Sequence, residues 1–247
     1  MNKLSICIFA LFLFISTKSS AQSAQAPEIK WQTDILVDGS LEEWGDSLSY
    51  YFEDQDIQYD IMQDDKYLYI ACRVRDKAQQ VQASLQGFSV MINPKGKKKE
   101  GPLLVFPIPD KAALRGVSYE DDTETEIRKK ALNSIRALYI FNFSDIVDGP
   151  ISLQNDFGIQ ASARLDSTDA LCYEAAFALD QLKLNPDKAF ALNLKINKVT
   201  RYTYYEQLPR YSRYGYSRYG YGYGNRQQRT SFREEPGIWL ILKLTNT

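Results

Sequence analysis

Apolar and polar positions alternate with a period of two through much of this chain. In Tyr67-Leu-Tyr-Ile-Ala-Cys-Arg-Val-Arg75, Leu68, Ile70, Cys72 and Val74 share one face while Arg73 and Arg75 share the other. That is the pattern of a half-buried strand. Short apolar runs bounded by Gly or Pro follow at 88–92 and 103–106, and the series continues at 138–141, 158–161, 173–179, 190–196 and 238–244. About nine or ten short strands separated by turn residues predict an all-β fold, an antiparallel jelly-roll-like β-sandwich without alternating βαβ units.

One inserted helix interrupts the strands. Thr123-Glu-Thr-Glu126 reads as a capping box, with a Thr side chain accepting from the Glu126 amide and Glu126 reaching back. Ile127, Ala131, Leu132 and Ile135 then recur at helical spacing. The acids before it, Glu120-Asp-Asp122, read either as a solvated turn that suits the helix dipole or as an ion site.

The segment 201–224 breaks the pattern altogether. It holds nine of the 17 Tyr, four Arg and four Gly, and Ser212-Arg-Tyr-Gly-Tyr216 recurs as Ser217-Arg-Tyr-Gly-Tyr221. Two readings stand: rings such as Tyr214 and Tyr219 stack on a ligand, or 201–230 is a long low-complexity loop inserted between the last two strands.

The first residues carry a targeting signal. Lys3 precedes an apolar run from Leu4 to Ile15, and Ser19-Ser-Ala21 supplies the small residues of a cleavage site, so 1–21 reads as a signal peptide. The run is short of the roughly 20 residues that span a bilayer. After cleavage, 22–33 is a linker and 34–247 a single domain, exported to the periplasm or cell envelope or secreted, with no transmembrane segment. Cys72 and Cys172 then remain, either bridged or as two buried thiols.

Composition removes whole classes of chemistry. The chain has no His, which excludes Ser-His-Asp and Cys-His catalysis, His-ligated metals and a His pH switch. With 30 Lys+Arg against 31 Asp+Glu there is no global field to attract nucleic acid. No nucleophile elbow, phosphate loop or zinc-type Cys pair occurs. The chain therefore reads as a binding protein and not an enzyme, with no catalytic residue and no cofactor to assign.

Several of these runs carry a family resemblance. Ile35-Leu-Val-Asp-Gly-Ser-Leu-Glu-Glu-Trp44 resembles the I-D-G-x-x-D-E-x-W opening of the family 9 carbohydrate-binding modules. Gln63 to Asp76 is similar to their D-x-x-Y-L-Y-V strand, 87–93 to their S-V-E-I-F-I-D strand, and Tyr173 to Leu179 to their Y-x-x-E-A-A-I-P strand. The runs 192–197 and 236–244 resemble the closing strands, so the matches cover most of 34–244 in the family's order. The wider fold implied is a DOMON-like sandwich. Asp38-Gly39 is also simply a good turn, Trp44 a core or lid aromatic, and Asp64-Asp65 a polar turn entering a strand.

The resemblance implies a glycan site in which two Trp rings clamp a sugar beside a carboxylate. Here Phe232, followed by Arg233, falls at one clamp position, whereas the other Trp falls near Ala83 and the carboxylate near Ser89. Asn197 and Arg201 fall where members place ligand-facing polar groups, and Tyr214 and Tyr219 are candidates for the missing ring. The implied partner is a polysaccharide or oligosaccharide; a protein partner in the cell envelope is the alternative. Members also carry structural calcium, for which no matching acid cluster is evident.

Overall fold

The computed structural model describes residues 27–115, 123–198 and 237–245. Two six-stranded sheets pack face to face. The first contains β1 (Lys30–Trp31), β2 (Tyr50–Phe52), β3 (Ile57–Gln63), β4 (Tyr67–Val74), β9 (Ile159–Leu165) and β10 (Leu171–Ala178), in the order β1-β3-β4-β10-β9 with β2 also on β3. The second contains β5 (Phe88–Asn93), β6 (Leu103–Phe106), β7 (Ala137–Phe141), β8 (Gly149–Ser152), β11 (Phe190–Ile196) and β12 (Ile238–Leu242), in the order β12-β11-β5-β6-β7-β8. Every pairing is antiparallel except β1 on β3. The chain is an all-β sandwich.

The period-two faces point as expected. Leu68, Ile70, Cys72 and Val74 of β4 are wholly buried and meet Phe88, Val90 and Ile92 of β5 and Leu192 and Leu194 of β11 in the core between the sheets. The opposite face of β4 is not simply solvated. Tyr69 and Ala71 are buried under the 34–48 segment, where Leu41, Trp44 and Leu48 form a second cluster with Met62, Cys172 and Ala176. The strand is thus buried on both sides over most of its length, and only its Arg73 end opens.

Sheet formation also begins earlier than the sequence indicated. Lys30–Trp31 pairs with β3, and Lys30 Nζ lies 2.5 Å from the fully buried carboxylate of Asp60, which also accepts from Ser49 Oγ at 2.8 Å. The β3 strand itself, with Ile57, Tyr59 and Ile61 inward, is a strict alternation that completes the sheet.

Three α-helices occur where the sequence suggested one. The capping box of α2 (Glu124–Asn133) forms, with Glu126 N donating to Thr123 Oγ1 and Thr123 N donating to Glu126 Oε2. The short α3 (Leu179–Leu182) is a single turn after β10. The unexpected one is α1 (Lys77–Gln86), whose sequence lacks a broad apolar stripe. Its start is nonetheless encoded: the Asp76 side chain accepts from Gln79 N at 2.8 Å. Gly87 ends it at φ 75°, where a Cβ would sit 2.6 Å from Pro107 O.

Polar contacts, not an apolar stripe, join α1 to α2. Arg128, 1% exposed, donates to Gln80 Oε1, to Thr125 Oγ1 at 2.8 Å and to Asp169 Oδ2 at 3.1 Å. Lys77 Nζ reaches the same Asp169 carboxylate at 2.6 Å.

The two cysteines are free. Cys172 pairs with Arg73 and Tyr173 with Cys72 across β4–β10, so the cysteines are diagonal neighbours. Cys72 belongs to the interior core and Cys172 to the outer cluster, so their side chains leave the sheet on opposite faces and cannot bridge.

Candidate functional site

The residues that carried the strongest motif serve the fold. Glu174, on the outer face of β10, is 1% exposed. Its Oε2 accepts from Asp38 N at 3.1 Å and Gly39 N at 2.7 Å, and its Oε1 accepts from Trp44 Nε1 at 2.7 Å. The Asp-Gly turn and the tryptophan, 130 residues or more from Glu174 in sequence, are therefore two ends of one clasp that holds the 38–44 segment on the sheet. Gly39 is at φ 87° against β9, where a Cβ would meet Arg164 Cγ and Ser162 Oγ at 3.1 Å. Burial pushes the Glu174 carboxyl up to about 7, although the Trp44 donor and the two amides pull the other way. Asp64 is likewise structural: Oδ1 caps the turn through Lys66 N and Tyr67 N, and Oδ2 accepts from Tyr69 Oη at 2.8 Å.

Where that clasp stops, a cleft of about 760 Å³ opens between the 39–46 loop and the outer face of the sheet. The register sets its floor. Cys172 pairs with Arg164 on one side and Arg73 on the other, so the two arginines flank the thiol on one row, and Arg75 follows Arg73 on the same face. Arg73 is the deepest: its side chain is 15% exposed and its Nε has no hydrogen-bond partner, Asp166 Oδ2 lying 3.7 Å away. Arg164 reaches Asp38 only at 3.9 Å.

Asp166 is already committed elsewhere. Its Oδ1 accepts from Thr168 N, Thr168 Oγ1 and Ala170 N at 2.7–2.9 Å. Burial raises its carboxyl, but those hydrogen bonds outweigh it and hold the group below the ordinary value. Glu42 and Asp46 form the opposite, exposed lip. The Cys172 thiol at the floor is pushed up to about 11 by burial, so it is protonated and not a nucleophile at neutral pH.

Of the glycan-site residues expected from sequence, Asn197 alone falls within the described residues; Arg201, Tyr214, Tyr219, Phe232 and Arg233 lie outside them. Asn197 ends β11 and binds the α1–β5 junction. Its Oδ1 accepts from Ser89 Oγ at 2.7 Å and its Nδ2 donates to Gln86 O at 2.9 Å. Its backbone pairs with Gly87 O and Gln82 Nε2. Ser89 and Asn197 are thus brought together by the hydrogen bond between their side chains. Ala83 is fully buried and belongs to the core.

Beside this rim the outer face of the second sheet is apolar. Met91, Leu103, Val105 and Phe141 form a cluster against which Tyr139 and Trp239 pack. Among the described residues no group of three or more His, Cys, Asp or Glu is arranged to hold a metal ion.

Sequence reasoning saw Arg73 and Arg75 on the polar face of their strand but not their meeting with Arg164. That meeting depends on the β9–β10–β4 register, and no local signal encodes it.

The fold and these surfaces define a β-sandwich with a polar cleft on one sheet and a braced rim on the other. Among solved structures the chain is similar to a family 9 carbohydrate-binding module from Caldicellulosiruptor kristjanssonii in complex with glucose, at 13% identity and a TM-score of 0.36, over 70% of this chain and 78% of that one. No family model matches the chain, and no curated protein matches it.

Proposed function

We propose that this is an exported, non-catalytic glycan-binding domain whose sugar site lies at the rim where β11 ends and β12 begins. One observation carries the reading. Asn193 pairs with Trp239 and Leu194 with Ile238, so the chain leaves and re-enters the second sheet side by side. The described flanks Asn197 and Gly237 lie at the edge where Asn197 meets Ser89, and the candidates Arg201 and Phe232 follow and precede them by four and five residues in sequence.

A Phe ring stacks on the apolar face of a pyranose, while Asn197, Arg201 and Arg233 hydrogen-bond hydroxyls. Tyr214 and Tyr219 offer the second ring in place of a paired Trp. With no His and no cofactor in the reading, the site binds and releases sugar unchanged.

With one aromatic platform where the resemblance implies two, affinity is expected on the order of millimolar. On a glycan array and by calorimetry, the intact mature chain should bind neutral oligosaccharides, and Phe232→Ala should weaken them by about tenfold, the equivalent of 1.4 kcal/mol. Deleting 211–223 should weaken binding as much if the Tyr-rich stretch supplies the second ring. Undiminished binding by Phe232→Ala would place the sugar elsewhere.

Export has its own test. Mass spectrometry of the protein from its native host should find a chain beginning at Gln22, and an intact Met1 in the cytosol would refute it. No helix among the described residues is long and apolar enough to cross a membrane.

A further inference from the structure

The cleft on the first sheet stands apart from the rim and needs its own explanation. Its two walls carry opposite charge. The sheet wall presents the guanidiniums of Arg73, Arg75 and Arg164 beside one acid, Asp166, and the loop wall presents the carboxylates of Glu42 and Asp46. Within a folded protein such groups ordinarily pair, yet here they do so poorly. Arg73 Nε is buried without a hydrogen bond, Arg164 is 3.9 Å from Asp38, and the Asp166 carboxylate lies 3.7 Å from Arg73.

A buried donor left unmade costs free energy that a ligand acceptor would recover. The guanidinium fork matches a carboxylate in a bidentate fashion. Carboxylates at the opposite lip would repel a simple anion but accept hydrogen bonds from hydroxyls. A ligand suited to both walls therefore carries an anionic group at one end and hydroxyls at the other.

We infer that this cleft binds the carboxylate-bearing ring of an acidic saccharide, with Arg73, Arg75 and Arg164 taking the carboxylate and Glu42 and Asp46 taking ring hydroxyls. The site is independent of the rim, so each can fail alone. Its cations are partly open to water, so salt weakens the binding.

Trigalacturonate is the probe, titrated calorimetrically into the mature chain. It should bind, and its fully methyl-esterified form should bind at least tenfold more weakly. Arg75→Gln with Arg164→Gln should also lose at least tenfold; both side chains are exposed, and circular dichroism checks that the variant remains folded. The decisive variant is Glu42→Gln with Asp46→Asn. If these acids accept hydroxyls, trigalacturonate binding falls; if they only repel an anion, it rises and the saccharide assignment is overturned. Equal binding of the ester, unchanged binding by the double Arg variant, or displacement by an equal concentration of sulfate would also overturn it. Binding of neutral oligosaccharides without trigalacturonate would reject the cleft and leave the rim reading standing, whereas the reverse would support the cleft and count against the rim.

Discussion

Replacing Glu174 with alanine is expected to destabilise the protein by about 3–5 kcal/mol, because it strands two buried donors and one partly buried donor at roughly 1–3 kcal/mol each, less what entering water restores. The donors are Asp38 N, Gly39 N and Trp44 Nε1, all held by one carboxylate. Their loss frees the segment that covers Tyr69, Ala71 and Ala176, so the damage extends to the second apolar cluster. Urea unfolding followed by tryptophan fluorescence reads the change in midpoint. A loss below about 1 kcal/mol, the net worth of a single ordinary hydrogen bond, would mean that the loop is held by its apolar contacts alone.

The same residue gives stability a pH dependence. The folded value of Glu174 is raised to about 7, above an unfolded value of about 4.3. The folded state therefore binds the proton more tightly, and this group's contribution is full below the unfolded value and lost as pH rises through 7. Stability should decline between about pH 4 and 7, and Glu174→Gln should flatten that slope.

Asp169→Asn is expected to cost about 1–2 kcal/mol, less than the roughly 3–5 kcal/mol of a fully buried pair because solvent screens the carboxylate end. Arg128 is nearly inaccessible, and Asp169 is its carboxylate partner, itself 44% exposed. Asparagine tolerates the backbone at φ 60°, so the change isolates the charge from the turn. Lys77→Ala removes the more exposed cation of the same group and should cost no more than about 1 kcal/mol. Equal losses in the two variants, measured by chemical denaturation, would show that Arg128 needs no counter-ion.

The sign with pH is opposite to that of Glu174. Lys77 and Arg128 hold Asp169 below the ordinary carboxylate value. Its contribution is therefore present above the unfolded value and lost as pH falls through the folded one. Together the two groups place the stability optimum on the acid side of neutrality.

Much of the architecture was legible locally. Leu68, Ile70, Cys72 and Val74 announced a strand and its inner face because side chains alternate across a pleat, whatever the partner strand. The α2 capping box was equally readable, since its reciprocal bonds span only three residues. The α1 helix was not: its apolar content is low, and Gln80 and Ala83 are buried by α2, Asp169 and the second sheet instead of by a stripe of its own.

The Asp-Gly turn and Trp44 could be read as local structure from sequence, but not their common partner. Glu174 became a clasp only when β10 was laid beside β4. The link between Asn197 and Ser89 was not legible, since the two meet only where β11 is laid beside β5. The arginine cleft was invisible, because Arg73, Arg75 and Arg164 lie on two strands joined only through β10. By itself the sequence determined which residues could lie on the same face of a strand. Tertiary structure decided which faces met, because the β4–β10 register and the covering loop are set by contacts made across 90 residues or more.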